Sequence, residues 1–177
     1  MNKSILYTDG QSRAVEAVRT VVCLGIAVAG SELPTEMIGR FGLGRRRHLR
    51  GQREEYRFLF RDRRACLPIW RDGQLQLVRW GNGRGQSRVL PRTGWTWESS
   101  IREGRWQGSG AVPVDIPANY GLERRGVWFL IETGIRGLLV PDENGWAVCY
   151  MICEPASHYY KVMTGSDRMP VLINQRI

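Results

Sequence analysis

GIRGLLVPDENGWAVCYMI, residues 134–152, carries two apolar runs, GLLV and WAVCYMI, on either side of the turn-forming residues DENG. Runs of this length, rich in β-branched and aromatic side chains and bounded by Asp, Asn and Gly, predict two strands joined as a hairpin. The pattern extends outward along the chain. YRFLF (56–60), ACLPIW (65–70), QLQLVRW (74–80), VWFLI (127–131) and MPVLI (169–173) repeat it, and RDGQ (71–74) supplies a second hairpin turn. Many short strands against few helical stretches predict a β-rich α+β fold, a barrel or packed antiparallel sheets with a few short helices. Residues 22–29 add a first strand. SELPTEMIGRFG (31–42) predicts a helix capped by Ser31, with Leu33, Met37 and Ile38 at helical spacing. Residues 1–21, with helical spacing in Val15, Val18 and Val22, read as an extension, and residues 22–177 as one domain long enough to bury its own core.

Two segments fit neither period. GRRRHLRGQREE (44–55) is so charged that it predicts a basic loop or an exposed face. Residues 81–113, rich in Gly, Arg and Trp, predict a long irregular stretch, which in a compact domain is usually functional or mobile. GNGRG at its head lacks the GK[ST] and the strand-to-helix context of a phosphate loop, and reads as a flexible basic turn.

The charge is +9, and its makeup is uneven: 24 arginines stand against Lys3 and Lys161. A guanidinium matches phosphate with a planar fork and stacks on aromatic faces, and seven tryptophans and six tyrosines accompany it. That composition fits a single-strand nucleic-acid binder, in which basic residues follow phosphates and aromatics stack on bases. Arginine-rich codon usage with tryptophans in the core produces the same composition. Cys23, Cys66, Cys149 and Cys153 form no disulfide framework, which suits a reducing, cytoplasmic setting. Cys149, Cys153 and His158 have an unusual spacing for zinc and no evident fourth ligand, so neither metal nor cofactor is expected. Nothing approaches the length of a membrane span. Ala27, Val28 and Ala29 resemble a signal cleavage site, but Asp9, Glu16 and the short apolar core VVCLGIAVA argue against export.

Three stretches, in order, resemble one family. LQLVRWG (75–81) is similar to a strand ending in RWG in the SOS-response-associated peptidases, the SRAP family. IPANYGLE (116–123) resembles their VPADGFYE, and SDRMPVLI (166–173) their HDRMPVIL. VWFLI and GIRGLLV match in position two further strands of that family. The resemblance implies a β-rich fold with a basic groove for single-stranded DNA, and a covalent link to abasic sites, the ring-opened aldehydes left by base loss. The family's nucleophile is an amino-terminal cysteine, whose amine and thiol close a thiazolidine ring on the aldehyde. The corresponding residue here is Cys23, with Glu123 at the family glutamate as proton shuttle. Glu123 also reads as an exposed turn residue beside Arg124 and Arg125. Arg79, Trp80 and Arg168 are the residues expected to hold DNA. Trp95, Trp97 and Trp106 are further stacking candidates, and equally candidates for packing inward.

The sequence departs from the family at three places. Ser166 replaces the family histidine and cannot act as an acid or base near neutral pH; His158 lies eight positions upstream. TGWTWE (93–98) stands where the family has NARAE, so its asparagine and arginine are missing. Cys23 follows 22 residues, and an amide nitrogen cannot condense with an aldehyde. Two routes free that amine: initiation at Val22, since the valine codon GUG also starts translation, or self-cleavage before Cys23, in keeping with the family's peptidase name. The expected partner is single-stranded DNA containing abasic sites, bound by a monomer, with crosslinking and self-cleaving peptidase or lyase activity. Two rivals remain: a DNA-binding or interaction protein without covalent chemistry, and a cysteine hydrolase using Cys23, His158 and Glu123.

Overall fold

The computed structural model describes residues 23–177, so the strand start at Val22 and the extension before it lie outside the described residues. Twelve strands follow one another among those residues. They are β1 (Gly25–Ala29), β2 (Arg47–Arg50), β3 (Arg53–Leu59), β4 (Cys66–Arg71), β5 (Gln74–Trp80), β6 (Trp95–Trp97), β7 (Val112–Ile116), β8 (Tyr120–Leu122), β9 (Trp128–Leu130), β10 (Ile135–Pro141), β11 (Ala147–Pro155) and β12 (Arg168–Pro170). Three short helices, α1 (Thr35–Arg40), α2 (Glu98–Arg102) and α3 (His158–Thr164), complete a β-rich α+β architecture. No described helix is long and apolar enough to cross a membrane.

The DENG hairpin forms as the sequence predicts. Val140 faces Val148 and Pro141 faces Ala147 across β10 and β11. Asp142 closes the turn, its carboxylate accepting the Asn144 and Trp146 N–H groups, both at 2.9 Å. Around this hairpin a five-stranded barrel closes in the order β10–β7–β4–β5–β11, with β10 returning to β11. Its pairs are antiparallel except β5 with β11, where Arg79 faces Val148 and Trp80 faces Cys149. Closure leaves no unpaired edge around this ring. The nine-residue β11 outruns the barrel, and its far half pairs with β6 and β12, carrying Trp95, Trp97 and Arg168 to the same end.

The second sheet runs β2–β3–β1–β8–β9 and is antiparallel throughout. Alternation decides its faces. Ile26 and Val28 of β1 pair with Phe58 and Tyr56 of β3, and all four join the barrel residues Leu67, Ile69, Val114 and Ile116 in one contiguous core. Gly121 on β8 is required by close approach: a Cβ there would lie 2.3 Å from the Phe129 ring.

Three local expectations change or narrow. Ser31 lies in the 3-10 turn Gly30–Glu32 rather than capping α1, which begins after Pro34 with no side-chain cap. The proline ring stops the preceding turn and leaves the helix to start behind it. GRRRHLRGQREE is an exposed face, one of its two readings, but it is built as the β2–β3 hairpin rather than a loop, with Arg47–Glu54 and Arg50–Glu55 paired across the strands. Glu55 is buried and accepts from Arg50 at 2.7 Å and Arg57 at 2.8 Å, while the two guanidiniums lie over the Tyr120 and Trp128 rings at 4.0 and 4.9 Å. Cross-strand charge pairs and cation–π stacking together make so polar a strand viable. Residues 81–94 and 103–111 are irregular as expected, with β6 and α2 between them, but the first part is internally hydrogen-bonded. Buried Asn82 donates to the Ser87 and Leu90 carbonyls at 2.9 and 2.8 Å and accepts from Ser87 N–H at 2.9 Å. Gly81 makes the bend before it, with φ +57° and room for no Cβ, since one would sit 2.2 Å from the Thr93 carbonyl oxygen.

Candidate active site and arginine cleft

The β1–β8 pairing brings two residues 100 positions apart into contact. Gly25 faces Leu122, Leu24 N–H donates to Leu122 O at 2.6 Å, and the next residue on each side is Cys23 and Glu123. Cys23 N–H donates to Glu123 Oε1 at 2.8 Å. Cys23 has φ +53°, a left-handed conformation disfavoured for a residue with a Cβ, and its thiol donates to Gly25 O at 2.9 Å. Helix α3 supplies the third group. Ser157 caps it by accepting Tyr160 N–H at 3.0 Å, Tyr160 packs edge-on against Phe129 at 5.4 Å, and its hydroxyl donates to Glu123 Oε1 at 2.8 Å.

All three side chains are removed from water: Cys23, Glu123 and Tyr160 are each 0% exposed. Burial raises the Glu123 carboxyl above the usual glutamate range, against the pull of the Tyr160 hydroxyl, the Cys23 N–H and Arg124. Burial first, and the Glu123 charge second, push the Cys23 thiol well up, so it is held as a thiol. Tyr160 is raised for the same two reasons. Glu123 Oε2 is buried with no hydrogen-bond partner, so one end of the carboxyl is held by donors and the other is not. Glu123 is thus the floor of a dry centre, not an exposed turn residue.

The other expected site residues divide. Arg168 is half-buried beside this centre, its guanidinium 4.2 Å above the Trp95 ring and 5.8 Å from Trp97. Burial lowers its pKa, and Glu123 is among the charges it feels. Ser166 is buried and organises the turn: its hydroxyl donates to Arg168 O at 2.7 Å and its N–H to Thr164 Oγ1 at 3.1 Å. It sets the entry into β12, its hydroxyl hydrogen committed to the Arg168 carbonyl. His158 is exposed at the start of α3, and the Cys23 thiol bonds Gly25 O, so no cysteine–imidazole pair is assembled.

Trp80 is corrected from base-stacker to core. It is 2% exposed, packs edge-on against Phe60 at 5.3 Å, and donates its indole N–H to Gly94 O at 3.0 Å. Arg79 beside it is tied to buried Asp142 at 2.7 Å, with its Nε buried and unpartnered. Trp106 also turns inward, donating to Thr96 Oγ1 at 2.9 Å and packing on Tyr150.

Phe60 and Trp80 also line an open cleft of about 1240 Å³. Arg45 and Arg46 line it from the turn before β2, Arg61, Arg63 and Arg64 from the β3–β4 turn, Arg79 from β5, and Arg84 from the loop held by Asn82. Asp62 is the single acid among the lining residues and is paired with Arg46. Phe60, which lines the cleft, donates its N–H to Leu24 O at 3.0 Å, so this wall is bonded directly to the residue after Cys23. Cys66 also lines the cleft, its thiol raised by burial and lowered in part by Arg46.

Sequence reasoning missed Tyr160 and the cleft arginines of the β3–β4 turn. No short-range pattern couples Tyr160 to Glu123. RDRRA, between two predicted strands, was a readable signal for a clustered basic turn. Among the described residues no group of three His, Cys, Asp or Glu side chains is placed to hold a metal; Cys149 and Cys153 are buried on β11. Comparison with family models, with curated proteins and with solved structures gave no match in any of the three.

Proposed function

We propose that this chain is an SRAP-like protein that binds single-stranded DNA and, when Cys23 is its first residue, links covalently to abasic sites. The observation that carries the reading is the 2.8 Å contact between the Cys23 nitrogen and Glu123 Oε1, which joins the two residues the resemblance pairs as nucleophile and proton shuttle. With the Val22–Cys23 peptide bond absent, that nitrogen is an amine. It adds to the aldehyde carbon to give a carbinolamine; Glu123 delivers the proton with which the hydroxyl leaves as water and takes back the proton that the nitrogen sheds, forming an imine. The Cys23 S–H then adds across the C=N bond, sulfur to carbon and the proton to nitrogen through Glu123. The net change is aldehyde plus aminothiol to thiazolidine plus one water. The arginine cleft, adjoining the same chain segment, supports a phosphodiester track, and Arg168 with Trp95 and Trp97 supports contacts nearer the reacting sugar.

Single-stranded DNA with one abasic site, incubated with the full chain and with the chain beginning at Cys23, tests this. A denaturant-stable adduct that requires the free Cys23 amine and disappears in Cys23→Ser is the expected result. Adduct-free binding that weakens with salt replaces it by a second reading, binding without covalent chemistry. The full burial of the Cys23 thiol favours that second reading. Absence of binding at low salt removes both.

A further inference from the structure

We propose that Tyr160 is a positioning residue that assigns the Glu123 proton to Oε2 and keeps Oε1 as the acceptor facing the Cys23 nitrogen. The role is stated for the abasic-site chemistry above and rests on that reading. Oε1 accepts two hydrogen bonds, from Cys23 N–H and from the Tyr160 hydroxyl, each at 2.8 Å. A carboxyl oxygen has two lone pairs, so one that accepts twice has no site left for a proton. A protonated Glu123 therefore carries its hydrogen on Oε2, the oxygen that is buried without a partner. The same carboxyl then presents an acceptor to the amine and a donor to the departing hydroxyl. Loss of the tyrosine hydroxyl frees a lone pair on Oε1 and lets the proton occupy either oxygen.

Tyr160 is built to hold this position. Its helix is capped by Ser157 and closed by Thr164, whose hydroxyl donates to Tyr160 O at 2.7 Å, and its ring is fixed against Phe129. The ionisable and charged groups facing Glu123 come from every neighbouring element: Cys23 before β1, Arg124 after β8, Tyr160 on α3 and Arg168 on β12. Cys23 N–H and the Tyr160 hydroxyl both donate to Oε1, so Tyr160→Phe removes a donor from that oxygen without altering the charged groups around it.

The test is infrared spectroscopy of the full chain, with the Glu123 band identified as the protonated carboxyl signal lost in Glu123→Gln. In Tyr160→Phe the band moves to higher frequency, because the carbonyl oxygen loses a donor. The midpoint of its pH dependence rises by about one pH unit, since the lost bond favoured the carboxylate. Site-specific 3-fluorotyrosine at position 160 keeps the ring and hydroxyl while strengthening the donor, so both signals move the opposite way; it serves where Tyr160→Phe does not fold. In a chain that forms the adduct, the pH profile of adduct formation moves with the infrared midpoint. An unchanged band and midpoint in both variants, or a moved midpoint with an unmoved adduct profile, overturns the proposal. If the wild-type chain forms no adduct, the abasic-site reading fails, and the infrared arm alone decides where Tyr160 holds the proton.

Discussion

The Cys23–Glu123–Tyr160 centre and the arginine cleft are linked through the Phe60 N–H bond to Leu24, yet they treat charge in opposite ways. In the centre a few ionisable groups are withdrawn from water, and each is pushed toward its neutral form by burial. In the cleft most of the arginines stay solvated, and only Arg46 and Arg79 are held by acids. A dry centre gains proton control, because one hydrogen bond moves a pKa appreciably there. A wet cleft gains attraction for a polyanion, because many weakly screened charges act together without each being fixed. Residues that look equivalent by type are therefore expected to fail in different ways.

Trp80 tests the boundary most severely, since it belongs to the core yet lines the cleft. Trp80→Ala is expected to lose about 3–5 kcal/mol of stability, read as a lower urea midpoint. A folded, equally stable variant that has lost DNA affinity instead would return Trp80 to the list of base-stacking residues. Tyr160→Phe comes next, with a loss of about 1–3 kcal/mol, because a buried acceptor loses its donor. A negligible loss would mean that the ring alone holds α3 in place.

The dry centre also has a pH signature. Glu123 has a folded pKa above its unfolded value, so the folded state binds more protons between the two. Its contribution to stability is fully present below the ordinary glutamate range and is lost as pH rises through the elevated folded value. In Glu123→Gln the urea midpoint is expected to become flatter with pH across that interval, while an unchanged slope would assign the dependence elsewhere. The smallest stability effect belongs to the cleft. Arg61→Ala, Arg63→Ala and Arg64→Ala combined should change stability by no more than about 0.5 kcal/mol per site. Their effect should appear in oligothymidylate binding, as a salt slope reduced by about 0.7 for each phosphate contact removed. A salt slope equal to wild type would exclude this turn from the DNA path and weaken the contrast.

Legibility in the sequence followed range. DENG announced its hairpin because Asp142, Asn144, Gly145 and Trp146 satisfy one another locally. GRRRHLRGQREE conceals a hairpin because the rings that lie against Arg50 and Arg57, Tyr120 and Trp128, come from β8 and β9, although Glu55, which pairs with both arginines, closes the stretch itself. Residues 81–113 read as irregular and largely are, but the order of 82–90 escapes a local pattern because it depends on one buried amide, Asn82, reaching carbonyls five and eight residues away. In the candidate site, Cys23, Glu123 and Arg168 were singled out by resemblance, and their neighbourhood is consistent with grouping them. Trp80 is a stacking candidate by residue type alone, and residue type says nothing about which face of a barrel strand it occupies; in the fold it is core.

The amino-acid sequence by itself determined the β-rich class, most strand positions and the cationic surplus, since alternation, turn residues and charge are properties of neighbours in the chain. Only the tertiary structure decided that the barrel closes through β10 and β11, that Glu123 is dry, that Tyr160 stands over it, and that dispersed arginines converge on one cleft. Those facts depend on pairings tens of residues apart. Burial sets the protonation of a carboxyl and the reach of a guanidinium, and burial is a property of the assembled fold.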